Sequence, residues 1–279
     1  MVDADSPEPS PENAGSHAPD TDSGAAPAEA STPKKRKQGV LRKVTIVVAI
    51  LVVLLVVGWG CILTFVVQPY LTPSESMAPT LQVGDRIIVD KLTYRSGSPK
   101  PGDVIVFNGP PNWNIGYKSI RSTNPAIRWM QNALSFIGLV PPDENQLVKR
   151  VIAVGGQTVM CCDAEGAVTV DGRSLVEPYI YEPIEFVPGQ LDCTTTQMSR
   201  RCFGPVTIPE GELWVMGDHR SDSADSSYQC QGLPPTSGAV CQGPIPVDNV
   251  IGKAIFIVMP PSRWGTIGNP DIDPDNPAN

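Results

Sequence analysis

The chain has 279 residues, with 21 Lys and Arg against 29 Asp and Glu, a formal net charge of −8 and 41% hydrophobic residues. The acidic balance excludes a nucleic-acid binder built on a basic face, and 25 Gly with 30 Pro argue against a helical bundle. Only two histidines occur, His17 and His219, with His17 in an acidic, Pro-rich stretch. A multi-histidine metal site is therefore excluded, and any Ser-His-Asp triad would rest on His219.

Residues 1–43 read as a disordered acidic tail ending in a basic run. Residues 1–33 carry seven acids, no Lys or Arg, and no Phe, Trp, Tyr, Leu or Ile. Such a segment buries too little apolar surface to offset chain entropy. Lys34, Lys35, Arg36, Lys37, Arg42 and Lys43 follow. Residues 44–67 contain no charge and are dominated by Val, Ile and Leu. At 1.5 Å per residue they make roughly 36 Å of helix, enough to cross a hydrocarbon core of about 30 Å. The preceding region is too long for a cleaved signal peptide. Basic residues precede the span and the next is Arg86, so the N-terminus is expected in the cytoplasm and residues from 68 onward outside.

The outer part, residues 68–268, is expected to be mainly β. Arg86–Asp90, Asp103–Phe107, Leu147–Val154, Ala167–Val170, Pro205–Ile208, Glu212–Met216 and Val250–Met259 are short Val/Ile-rich runs bounded by turn residues. Val170-Asp171-Gly172-Arg173 has the form of a two-residue hairpin turn. One segment, residues 125–140, reads as helix: Ile127, Met130, Leu134 and Ile137 recur near helical spacing. A core-facing helix is the simplest reading, and an interfacial helix lying on the membrane the second. Residues 269–279 are Asp/Pro/Asn-rich and read as a disordered acidic tail. The outer domain holds Cys161, Cys162, Cys193, Cys202, Cys230 and Cys241, an even set that suggests disulfides on the oxidising side of a membrane. Cys193 with Cys202 and Cys230 with Cys241 are short-loop candidates; a bond between adjacent Cys161 and Cys162 would be strained, and fifteen connectivities stay open. No Cys-x-x-Cys spacing points to zinc.

Three segments carry chemistry. Just beyond the span stands Pro73-Ser74-Glu75-Ser76-Met77-Ala78-Pro79-Thr80-Leu81. Next, Leu147-Val148-Lys149-Arg150-Val151 sets two cations inside an apolar strand, Lys149 pointing with Leu147 and Val151 and Arg150 opposite. A charged edge strand is the bland reading. A desolvated lysine, its pKa lowered until the neutral amine serves as a general base, is the sharper one. Third comes Gly217-Asp218-His219-Arg220-Ser221-Asp222-Ser223-Ala224-Asp225, a polar turn whose acids are too few and too irregular for an EF-hand.

In this order, behind this anchor, the blocks resemble the type I signal peptidases (leader peptidases), membrane-bound Ser/Lys endopeptidases of exported preproteins. The resemblance runs from Gln68 to Trp264 and includes Pro101–Phe107 and Asn249–Ala254. The Pro-rich insert 108–146 and the Cys-bearing loop 228–243 resemble the actinobacterial branch. It implies a signal-peptidase-like β-domain with one N-terminal transmembrane helix and a small helical insert. By position, Ser76 matches the nucleophile, Lys149 the general base, Ser74 an oxyanion donor with the Ser76 N–H, and Ser223 the residue that orients the lysine. Arg150, Asp218 and Asp225 match structural supports, Arg150 as the cationic partner of both acids. Met77, Leu81, Ile87, Leu147 and Val148 match the lining of shallow pockets that select Ala-x-Ala-like sites. The chain departs from the pattern at Ser227, where Arg is frequent, at His219, where Asn is common, and at Glu75, where the family has Gly or Glu. Adjacent Asp218 and His219 would point apart, which disfavours a conventional triad.

The resemblance implies no cofactor and no metal. The expected partners are signal peptides of secreted preproteins, the lipid bilayer and the protein export machinery, with the chain single-pass in the plasma membrane. The alternatives are a penicillin-recognising Ser/Lys hydrolase, which lacks its Ser-x-x-Lys spacing at Ser76, and a non-enzymatic, disulfide-stapled receptor domain in which Lys149 is an ordinary exposed charge.

Overall fold

The structure, a computed structural model, describes residues 34–113, 119, 121–136, 140 and 145–272. The acidic segment 1–33 and the last seven residues lie outside that range. Two units divide the chain inside its first helix, Met1–Ile50 and Leu51–Asn279. That helix, α1, runs Lys34–Phe65, so the basic run expected in the tail forms its first turns. Its stretch Gly39–Ile62 is long and apolar enough to cross a membrane. Apolar side chains such as Val47, Leu51, Leu55 and Trp59 are exposed on all sides of it, the pattern of a helix whose solvent is not water.

Among the described residues twelve strands follow: β1 Val67–Leu71, β2 Arg86–Asp90, β3 Val104–Asn108, β4 Gln146–Val154, β5 Thr158–Cys161, β6 Val168–Val170, β7 Arg173–Ser174, β8 Phe203–Thr207, β9 Glu212–Met216, β10 Ile245–Pro246, β11 Val250–Met259 and β12 Gly265–Thr266. The larger sheet is ordered β1-β2-β11-β3-β4-β9-β10, with β12 on β11; the smaller is β7-β6-β5-β8. Every pairing between these strands is antiparallel. The mainly β fold matches the sequence expectation. Val67, assigned to the span, instead starts β1, an edge strand that tolerates Pro69. The β6–β7 turn has Asp171 at φ 50° and Gly172 at φ 78°, the positive pair that a two-residue hairpin requires.

Central strand β3 is buried on both faces. Val104 and Val106 join a core with Met77, Leu81, Ile87 and Val89, while Ile105 and Phe107 join another with Trp113, Val151 and Leu213. A third core, around Trp214, Phe203 and Ile208, lies under the smaller sheet. Ile272 is fully buried in it, which corrects the expected tail: Ile272 packs into the core, and the exposed Asn269 accepts the Val104 N–H. The polar neighbours of Ile272 hid one apolar plug.

A second correction concerns the helix α2, Pro125–Phe136. Asn124 caps it, its Oδ1 accepting the Ala126 N–H at 3.0 Å, with Pro125 in the first turn. The helix is not core-facing: Ile127, Trp129 and Met130 are exposed, Trp129 by 73%. Its apolar spacing reflects an amphipathic face with no core beneath it, and Ile137 lies outside the described residues. Disulfides join Cys193 to Cys202, Cys230 to Cys241 and the adjacent Cys161 to Cys162, the pairing that sequence reasoning disfavoured.

Candidate active site

Three chain segments meet at the end of the larger sheet. The turn after β1 carries Ser74 and Ser76, strand β4 carries Lys149, and the turn after β9 carries Gly217 to Asp225. Ser74 is exposed and Ser76 partly so, with their hydroxyl oxygens 3.3 Å apart. The Ser76 carbonyl accepts the His219 N–H at 3.2 Å, which ties the serine turn to the turn after β9. Gly217 is the residue that sequence reasoning missed. A Cβ there would collide with both Ser223 Oγ and the Ser76 carbonyl oxygen, so these two groups face one notch that only glycine leaves open.

Lys149 is 3% exposed and its Nζ donates to Ser223 Oγ at 2.9 Å. Burial pushes its pKa down from 10.5 to about 8, because an ammonium loses its hydration there; Asp225, Asp218 and Asp222, in that order, pull it partly back up. The strand places it opposite Ile105 of β3, within an apolar sheet interior. The site thus holds a hydroxyl pair, one serine exposed and one partly so, and, within the same three segments, a buried amine whose pKa burial lowers to about 8. Such a set can supply a nucleophile, a proton acceptor and hydrogen-bond donors for acyl transfer.

Arg150 points the other way and is 1% exposed. Its Nε and Nη2 donate to the two oxygens of Asp218 at 2.9 and 2.7 Å, and Nη1 donates to the Gly102 carbonyl at 2.8 Å. Thr80 Oγ1 donates to Asp218 at 2.5 Å, and the Tyr179 ring lies 4.0 Å from the guanidinium carbon. The expected pairing of Arg150 with Asp225 does not occur. Asp225 instead accepts the Ser227 hydroxyl at 2.8 Å and the Gly217 N–H at 3.2 Å. Ser227, at the position where the family pattern often has Arg, satisfies the acid with a neutral donor. Thr80 was legible in the Pro79-Thr80-Leu81 string; Tyr179 had no sequence signal.

Met77, Leu81 and Ile87 are buried to 1% or less and pack in one core, with Val148 against it. Leu147 packs with Phe107 and Val151 on the opposite side of β4, apart from the other four residues expected to line the pockets. His219 does not engage Asp218: its Nε2 lies 3.2 Å from Glu182 Oε2, which disposes of the conventional triad. A cavity of about 240 Å³ sits elsewhere, lined by Glu177, Arg201, Phe203, Met216 and Arg220; none of Ser74, Ser76, Lys149 and Ser223 lines it.

Residues 43–259 match the family described as signal peptidase, peptidase S26. The chain is 56% identical over 259 residues to Signal peptidase I of Mycobacterium tuberculosis, covering 90% of this chain and 84% of that protein. It is 55% identical over 231 residues to the probable signal peptidase I of Mycobacterium leprae, covering 79% and 78%. With the probable signal peptidase I-1 of Synechocystis it shares 33% identity over 207 residues, covering 74% and 78%.

Proposed function

The chain belongs to the signal peptidase family, peptidase S26, and we propose that it cleaves signal peptides with Ser76 as nucleophile and Lys149 as general base. It is a type I signal peptidase, a serine hydrolase whose substrates carry signal peptides. The observation that carries the dyad is the buried Lys149 amine, held by Ser223 and lowered to about 8.

In the proposed reaction the neutral Nζ takes the proton of Ser76 Oγ as that oxygen bonds to the scissile carbonyl carbon. The carbonyl oxygen becomes an oxyanion, stabilised by the Ser76 N–H and the Ser74 hydroxyl. One such donor typically contributes about 3 kcal/mol to the transition state. Collapse breaks the C–N bond, and the leaving amine takes the proton from Lys149. A water then gives a proton to Nζ as its oxygen bonds to the ester carbon; the C–Oγ bond breaks, Nζ returns the proton to Ser76 Oγ, and the signal peptide leaves with a free carboxylate. Ser223 orients the amine; Arg150, Asp218 and Asp225 hold the two turns against β4.

The buried Met77, Leu81, Ile87 and Val148 support a shallow floor that admits only small side chains, Ala-x-Ala-like, before the cleaved bond. An extended substrate would pair with strand edges beside Ser76 and Lys149. Helix α1 anchors the chain in the plasma membrane with its N-terminus cytoplasmic and residues from 68 outside, close to the export machinery. The receptor reading needed an exposed Lys149, and at 3% exposure it lacks that support.

The test is cleavage of a secretory precursor by the detergent-solubilised protein beside Ser76→Ala and Lys149→Ala. Each variant should lose about 1,000-fold or more in kcat/KM. Wild-type rates from both variants would refute the dyad.

A further inference from the structure

Next to the proposed nucleophile lies a donor set that the protease chemistry leaves unused. One ring nitrogen of His219 and one carboxylate oxygen each of Glu75 and Asp222 lie within 4.8 Å of one another. Glu75 and Asp222 are exposed, whereas His219 is 6% exposed. Its two nitrogens have different fates. Nε2 faces Glu182 at 3.2 Å, while Nδ1 is buried with no hydrogen-bond partner among the described residues. A buried ring nitrogen without a partner carries a desolvation cost, and a ligand would remove it.

From this the geometry points to a binding site for a divalent transition cation of the Zn2+ class, formed by Glu75, His219 and Asp222. Ligand atoms on a tetrahedral zinc at 2.0–2.2 Å stand about 3.3 Å apart. A spread of up to 4.8 Å therefore needs only a small inward turn of the two exposed carboxylates. An imidazole nitrogen selects Zn2+ over Ca2+ and Mg2+, which prefer oxygen throughout. Glu182 Oε2, 3.2 Å from Nε2, helps to fix the orientation of the imidazole. The second sulfur-rich cluster, Cys162 with Cys193 and Cys202, offers no such site, because all three sulfurs are in disulfides. The site needs a single imidazole, so the scarcity of histidine does not bar it.

The experiment is calorimetric titration of Zn2+ alone into the full chain in detergent with its disulfides intact. One Zn2+ should bind per chain, at least about 10-fold more tightly than Ca2+. His219→Asn should weaken Zn2+ binding about 10-fold or more, and Glu75→Gln, a change on an exposed side chain, by several-fold. Ser76→Ala should bind as the wild type does, which keeps this outcome separate from that of the protease reading. No heat up to millimolar Zn2+, or binding that both His219→Asn and Glu75→Gln leave undiminished, would overturn the site.

Discussion

A lysine amine removed from water gives up its proton where an exposed one holds it. With Lys149 at about 8, roughly one chain in ten carries the neutral amine at pH 7, against about one in 3,000 for an ordinary lysine. The cleavage rate should therefore rise with pH through about 8 and level off above it. A profile flat from pH 5 to 9 would contradict a lysine base. Stability has its own sign. The folded pKa lies below the unfolded 10.5, so the unfolded chain binds the proton more tightly between about 8 and 10.5. The cost of burying the cation is full below pH 8 and fades as pH rises through that window. Lys149→Met should thus be inactive yet more stable than wild type at pH 7, by up to about 3 kcal/mol, as read by denaturant unfolding. The notch at Gly217 gives a complementary outcome. Gly217→Ala drives a methyl group against both Ser223 Oγ and the Ser76 carbonyl oxygen, and should cost about 100-fold in kcat through displacement of these groups. An unchanged kcat would show that the notch has slack.

At the scale of elements, the loops around the smaller sheet are closed by disulfides. The Cys193–Cys202 bond spans nine positions, and replacing both residues by Ala should cost about 2–3 kcal/mol, measured as a shift in the unfolding midpoint. Short apolar runs such as Arg86–Asp90 and Glu212–Met216 were legible because turn residues bound them and their side chains alternate between faces, as in the first, or are buried in succession, as in the second. Strand β1 was not, since its Val67 continues the apolar text of α1. For α2 the period was right and the burial wrong: spacing reports which face is apolar, not whether a core lies under it. Ile272 failed in the opposite sense, one buried residue inside a polar text. The proposed site residues Ser74, Ser76, Lys149 and Ser223 were legible as motif positions. Thr80, Ser227 and Gly217 stand in the same strings, but the partner each one takes needed coordinates: Asp218 for Thr80, 138 residues away, and Asp225 for both Gly217 and Ser227, eight and two residues away.

For the whole molecule, the proposed topology places the basic residues before α1 in the cytoplasm and the serine turn a few residues beyond the opposite lipid boundary. A signal peptide's apolar stretch ends at that same depth, so anchoring turns a three-dimensional search into a high local concentration. Protease added to the outside of intact cells with permeabilised walls should digest residues beyond the span and spare an N-terminal epitope; the reverse pattern would invert the topology.

The most direct measurement is the titration of the Lys149 amine itself, by pH-resolved chemical labelling of the Ser76→Ala protein in detergent. A midpoint near 8 is the expected result. A midpoint near 10.5, that of a lysine bathed in water, would contradict the proposed catalytic base.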